Sequence, residues 1–356
     1  MMVLSDDLRG WLAASAEGID LGLIPASEIL PRLAADGLTR IGVPEELGGT
    51  GGDATDAVNA VISVARESLA AAFILWGHRC YTEFLVQTSN AVLRERQLPD
   101  VLAGRVAGAS GLSNAMKHLA GLEPMQMIVC QDGKGLIVDG KLPWVTNLRS
   151  AGFHVAAAAD RIEGGPAMII ALSHDDPGLV RSDDLSLMGM RSSDTASVRI
   201  KATRITRDRI IAENAPEWLP GVRPLFIALQ CGMAIGLASR ALDEAEANGG
   251  AGRNVLADDI STQRERLASE TAALFAGLRS GGFVGNCAPL FELRIRLADS
   301  VTAAISLELQ TGGGRCYLAE PGRDFARRWR EAAFIPVITP SIVQLRTVLA
   351  AAKAAA

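Results

Sequence analysis

Gly135-Leu-Ile-Val-Asp-Gly-Lys-Leu-Pro-Trp-Val-Thr146 is the stretch that decides the fold class. It is apolar over strand length, alternates in part and is bounded and broken by glycine, the signature of a strand and not of a helix. Three later stretches read the same way: Phe153-His-Val-Ala-Ala-Ala-Ala159, Ala167-Met-Ile-Ile-Ala-Leu172 and Ala196-Ser-Val-Arg-Ile-Lys-Ala-Thr-Arg-Ile205. Turn signals recur between them, which predicts an antiparallel sheet or barrel over residues 106–215. No strand–helix–strand rhythm with ten-residue helices occurs, so a doubly wound nucleotide fold is disfavoured.

Outward from this zone the texture becomes helical on both sides. In residues 1–105, Ile24-Pro-Ala-Ser-Glu-Ile-Leu-Pro-Arg-Leu33 and Ala54-Thr-Asp-Ala-Val-Asn-Ala-Val-Ile-Ser-Val-Ala-Arg66 place apolar residues at three- and four-residue intervals. Gly42-Val-Pro-Glu-Glu-Leu-Gly-Gly-Thr-Gly-Gly52 breaks the chain between them. In residues 216–356 a helix is expected to open with Pro224 in its first turn and to stop at Gly249-Gly250. Two further helices are expected over 259–278 and 288–310. The class is therefore α+β: an N-terminal helical domain (1–105), a middle antiparallel β domain (106–215) and a C-terminal helical bundle (216–356).

Composition narrows the function. Lys+Arg 35 against Asp+Glu 40 leaves a net charge of -5, without the basic excess that a nucleic-acid surface needs. Hydrophobic residues at 49% supply a full core. Five lysines stand against thirty arginines, a bias of composition and not of chemistry. Cys80, Cys130, Cys231, Cys287 and Cys316 are scattered, odd in number and never spaced C-x-x-C, which suits reduced thiols in the cytoplasm. The N-terminus has acids early and no basic-then-apolar signal layout. The most apolar segment, Pro224–Ala238, has fifteen residues. A bilayer span needs roughly 20, so a buried helix and no membrane partner are expected.

Generic catalytic patterns are absent. The sequence has no GxxxxGK[ST], no HExxH and no GxSxG. His78, His118, His154 and His174 are not at ligand spacing, so no metal is expected. Cys80, two residues from His78, reads as packing, because no third group stands near to orient a nucleophile pair.

Four spaced motifs nevertheless form a pattern: Gly42–Gly52; Lys141-Leu-Pro-Trp-Val-Thr-Asn147; Leu187-Met-Gly-Met-Arg-Ser-Ser-Asp-Thr195 with Val198 to Ile210; and Ala234-Ile-Gly-Leu-Ala-Ser-Arg-Ala-Leu-Asp-Glu-Ala245 with Leu309-Gln-Thr-Gly-Gly-Gly-Arg-Cys-Tyr317. In this order they resemble the acyl-CoA dehydrogenase superfamily of flavoproteins, over residues 33 to 346. The resemblance implies a C-terminal four-helix bundle and an FAD held between the sheet and the C-terminal helices. By position it implies that Trp144, Val145 and Thr146 pack on the isoalloxazine and hydrogen-bond near its N5. A flat apolar ring with a polar edge calls for such an indole and hydroxyl.

Leu112 and Ser113 stand where the family's Leu/Val-Thr-Glu-Pro segment meets the flavin, although the Glu-Pro pair is missing here. Gln310, Gly313 and Gly314 match the Gln-x-x-Gly-Gly that approaches a neighbouring subunit's FAD. Arg253 is the candidate for its pyrophosphate, since a fixed guanidinium suits phosphate oxygens. A homodimer or homotetramer is implied, or a hetero-oligomer.

One family feature is missing. The resemblance implies a carboxylate that removes the substrate's α-proton, usually a Glu followed by Gly-Thr. The matching position is Thr339, or Val337 in the ungapped alignment, and no Asp or Glu occurs after Glu331. The alternative position on the first C-terminal helix, Val222 to Leu229, has no acid either. Three readings follow.

The first is an FAD-dependent oxidoreductase with altered chemistry such as monooxygenation, with Ser113 and His118 as candidate groups near the flavin. The second is a dehydrogenase acting on an acyl-CoA thioester through a relocated base, Glu331 or Glu123. The third is a non-catalytic flavin- or acyl-CoA-binding partner subunit. Arg323, Arg327, Arg328 and Arg330 lie at helical spacing with Trp329, as a solvated or intersubunit face or as a site for the nucleotide part of CoA.

Overall fold

A computed structural model of the chain describes residues 4–119, 121–249, 252 and 254–355. Five helices come first: α1 (Asp6–Leu21), α2 (Ala26–Ala35), α3 (Ala54–Ala65), α4 (Leu69–Gln87) and α5 (Ala91–Leu102). Their starts follow from capping residues. Ser5 accepts from the Leu8 N–H at the head of α1, and Asp53 and Asp56 form a capping box on α3. The glycine-rich turn before α3 closes on itself through a bridge between Val43 and Gly51. Helix α4 is buried on every side over residues 69–85, which makes it the central rod of this part of the chain.

The middle of the chain carries β1 (Ala107–Ser110), a short α6 (Ser113–Leu119), β2 (Met127–Asp132), β3 (Gly135–Val145), β4 (Phe153–Arg161), β5 (Met168–Ser173), β6 (Leu179–Arg181), β7 (Ala196–Thr206) and β8 (Ile210–Ala212). The strand order is β6-β7-β3-β2-β4-β5-β8, with β1 added on β4. The expected antiparallel sheet is in fact mixed: β1 and β2 both run parallel to β4. Strand β1 enters directly from α5, so its direction is set by where the chain arrives, whereas β2 is the first arm of a tight hairpin with β3 and meets β4 in parallel only at Ile128 and Val129.

From Ala215 the chain is helical again: α7 (Ala215–Ala247), α8 (Ala257–Arg279), α9 (Ala288–Gly312), α10 (Arg323–Phe334) and α11 (Ile342–Ala355). The expected helical C-terminal region is built of three long helices and two short ones. The expected helix start at Pro224 is also corrected. Helix α7 begins nine residues earlier, where Asn214 accepts from the Glu217 N–H, and Pro220 and Pro224 lie inside it. Each proline removes one donor from the ladder, and the burial of the helix against α3, α4 and α9 outweighs those losses. Helix α7 is long and apolar enough to cross a membrane, but 83% of its most apolar window is buried inside the molecule. Cys80, Cys130, Cys231 and Cys287 are free thiols.

Candidate functional site

A cavity of about 480 Å³ opens where all three parts of the chain meet. The sheet contributes the end of β3. Trp144 is 57% exposed at the cavity, Val145 is buried, and Thr146 follows. Thr146 Oγ1 lies 3.2 Å from the Ser193 carbonyl and 2.8 Å from Thr195 Oγ1, which fixes its rotamer. Helix α4 comes this close to β3 only because residue 77 is glycine: a Cβ there would sit 2.9 Å from the Thr146 methyl.

The helices contribute an aromatic wall. Phe73 and Trp76 stack at 5.3 Å, and Phe226 of α7 meets Trp76 edge-on at 5.1 Å. Trp76 Nε1 donates to the Phe226 carbonyl at 3.2 Å, and Phe334 of α10 meets Phe73 edge-on at 4.8 Å. These rings exclude water from one side of the cavity, and the one polar ring atom among them, Trp76 Nε1, is satisfied.

The remaining wall is the segment between α10 and α11. Gln230 donates to the Thr339 carbonyl at 2.7 Å, and the fully buried Arg294 donates to the Ile335 carbonyl at 2.5 Å, so the segment is clamped at both ends. Val337, Ile338 and Thr339 therefore face the cavity. Across from them, Ser113 Oγ donates to Thr339 Oγ1 at 3.0 Å. Ser110 Oγ also belongs to the lining and is buried without a hydrogen-bond partner. Among the described residues two cations reach the cavity, both paired: Lys117 with Glu123 at 3.4 Å, and Arg330 with Asp20 at 2.7 Å. Among the described residues no Asp or Glu lines it.

The other candidates divide clearly. Leu112 is fully buried beside Ser113. His118 is on α6 but outside the lining, with Nδ1 3.3 Å from the Glu123 carbonyl. Glu331 does not reach the cavity: it is fully buried, ion-paired with Arg327 at 2.9 Å, and accepts the Leu69 N–H at 3.0 Å. Burial raises its carboxyl above the usual range. Glu123 is held by Asn114 and Lys117. Neither acid is therefore in place as a relocated base.

Gln310 lies in the last turn of α9, Gly313 and Gly314 just beyond it, and none of the three lines the cavity. The Gln310 side chain is exposed and donates to Ser306, and Gly313 has φ 57°. Arg253 lies outside the described residues.

The arginine cluster divides: Arg323 is exposed, while the other three are tied to acids. Arg327 and Arg328 are 5% and 4% exposed and pair with Glu331 and Glu308. Arg330 pairs with Glu17 and Asp20. Sequence reasoning missed the aromatic wall, Lys117 and Gln344. For Gln344 a signal existed in Ser341-Ile-Val-Gln344, a capping-box spacing.

Comparison with known proteins agrees with this fold. Residues 12–105 match the family profile of the acyl-CoA dehydrogenase N-terminal domain. A probable acyl-CoA dehydrogenase, fadE25 of Mycobacterium leprae, is 30% identical over 242 residues, covering 66% of this chain and 61% of that protein. This chain thus spans about three fifths of the length of that relative. Glutaryl-coenzyme A dehydrogenase, solved as a glutaryl-CoA complex, has the same fold, with a TM-score of 0.83 at 16% identity over 98% of this chain and 95% of that one. KijD3, solved with FMN and a dTDP-linked 3-amino-4-keto sugar, superposes with a TM-score of 0.81 at 20% identity, over 98% of this chain and 91% of that one. The N-terminal part thus matches the acyl-CoA dehydrogenase N-terminal domain, and the chain as a whole has the acyl-CoA dehydrogenase fold.

Proposed function

We propose that this protein is an FAD-dependent oxidoreductase whose reaction does not use carboxylate abstraction of an α-proton, with flavin monooxygenation as the reaction class. The observation that carries the reading is the hydroxyl pair Ser113–Thr339 in a cavity wall without acids. The residues present suit a flavin: an indole half exposed over an apolar cavity, a fixed Thr146 hydroxyl, and a buried Ser110 hydroxyl still lacking a partner. Trp144, Val145 and Thr146 would hold the ring, with Leu112 and Ser113 beside it.

When bound, the flavin supplies two-electron chemistry and, in its reduced form, reaction with oxygen. An alcohol is far too weak a base to abstract an α-proton, so Thr339 does not replace a glutamate. The two hydroxyls can instead donate to, or accept from, an oxygen at the reacting centre while the aromatic wall keeps bulk water out. In KijD3 the fold holds a nucleotide-linked sugar, so a thioester is not its only possible ligand. The exposed Gln310 at the end of α9, away from the cavity, supports a contact with a second copy of the chain or with a related subunit.

The purified protein should be yellow, should not bleach anaerobically with a panel of acyl-CoA thioesters, and should consume oxygen when a flavin reductase and NADH are supplied. Bleaching by any thioester would sink the reading.

A further inference from the structure

Beside the large cavity lies a second pocket of about 110 Å³, lined by Met116, Phe291, Leu345 and Val348 among others, and Phe226 and Gln344 line both. Gln344 is only 6% exposed. Its Oε1 accepts the Ser341 N–H at 2.5 Å, while Ser341 Oγ accepts the Gln344 N–H at 3.3 Å. This is a capping box at the head of α11. Because a backbone N–H can only donate, the contact fixes which amide atom faces Ser341 and turns Nε2 the other way. Nε2 is buried and has no partner. Capping uses Oε1 alone, and a glutamate would supply it without leaving a buried donor unpaired. An amide donor kept at the junction of two apolar pockets is costly unless a ligand acceptor completes it.

We propose that Gln344 recognises the substrate: its Nε2 donates to a carbonyl oxygen, and the apolar arm attached to that carbonyl fills the second pocket. The substrate class is a carbonyl compound with a short apolar arm, and the inference rests on the reading of the cavity as the reaction site of a flavoprotein.

The test uses two probes of equal length, S-butyryl-N-acetylcysteamine and its thioether S-butyl-N-acetylcysteamine, titrated calorimetrically into the purified protein. The thioester is expected to bind about tenfold more tightly than the thioether, the discrimination set by one good hydrogen bond. Gln344→Glu keeps the cap and, in its ionised form, lacks the donor, so above the pKa of the new carboxyl it should bind the two probes within about twofold of each other, while the buried charge lowers its melting temperature. Equal binding of both probes by the parent protein overturns the proposal, as does a carbonyl preference that survives Gln344→Glu.

The pocket is tested independently of α11 capping. Extending butyryl to hexanoyl should tighten binding to the parent and not to Val348→Phe, which should keep the carbonyl preference. A gain undiminished in Val348→Phe refutes the placement of the arm. Flavin absorbance of the same sample reports separately on the underlying reading: a colourless protein that still prefers the carbonyl refutes the flavoprotein assignment and supports the role of Gln344.

Discussion

His78 is fully buried on α4, and both of its ring nitrogens are used. Nδ1 accepts the Gly108 N–H at 3.1 Å, so Nε2 carries the proton and donates to the Val101 carbonyl at 2.8 Å. Burial pushes its pKa down to about 3, and burial likewise takes His154 to about 4. In the unfolded chain each ring titrates near 6.5. Between pH 6.5 and 3 the unfolded state therefore binds more protons than the folded one, and stability falls as the pH falls. The contribution of His78 is complete above pH 6.5 and is lost at up to about 1.4 kcal/mol per pH unit below it. Urea unfolding measured from pH 7 to 4 should show this slope, and His78→Gln should flatten it, leaving the share of His154. An unchanged slope would mean that the buried ring is not what titrates. The neighbouring Cys80 thiol is also buried, and burial pushes it well above the usual thiol range, as an inert core residue requires.

At the scale of elements, helical spacing in the sequence identified α10 but not which of its faces is covered. The partners that decide this are remote in the chain: Glu308 on α9 for Arg328, and Asp20 on α1 for Arg330. A periodicity analysis sees one helix at a time, so a run of arginines reads as a wet face when it is in fact a set of ties between helices. Pro224 misled for the same reason. Local rules put a proline at a helix start, whereas the apolar surface that α7 buries against α3, α4, α8 and α9 extends the helix through it. Arg328 donates from Nε to both Glu308 oxygens at 3.1 and 3.0 Å, and both side chains are buried. Removing one partner strands a buried charge, so Glu308→Ala should cost about 3–5 kcal/mol in chemical denaturation. Replacing both, as Glu308→Leu with Arg328→Met, should cost much less. If the double variant proves as unstable as the single one, packing and not charge compensation is what the pair provides.

For the whole molecule, the order helix, sheet, helix was legible because the periodicity changes from 3.6 to 2 and back along the chain. The assembly of the cavity was not, because Phe73, Trp144, Phe226 and Thr339 come from segments that only packing brings together. The motif residues Trp144, Val145, Thr146 and Ser113 did fall at that cavity, whereas Gln310, Gly313 and Gly314 fell outside it. The junction that sets its dimensions is the crossing of α7 on α3. At Gly236 a Cβ would stand 2.5 Å from the Ile62 carbonyl oxygen and 2.6 Å from the Ala65 methyl; at Gly232 it would stand 3.1 Å from the Val58 carbonyl oxygen. Two glycines one turn apart thus let the helix backbones touch, and the same helix carries Phe226 to the aromatic wall and Gln230 to the Thr339 carbonyl. Gly236→Ala must push α7 away from α3, at about 1–3 kcal/mol of overpacking. The displacement should reach Phe226 and Gln230, so flavin retention through gel filtration should fall together with the melting temperature. Gly221→Ala is the control on the same helix: a Cβ there meets nothing, and relief of glycine's backbone freedom should hold or raise stability by about 0.4–1 kcal/mol. If Gly236→Ala loses stability while flavin content stays at the parent level, the α3–α7 crossing holds the fold without setting the cavity, and the cavity's dimensions are then fixed by α4 and β3, at the contact between Gly77 and Thr146.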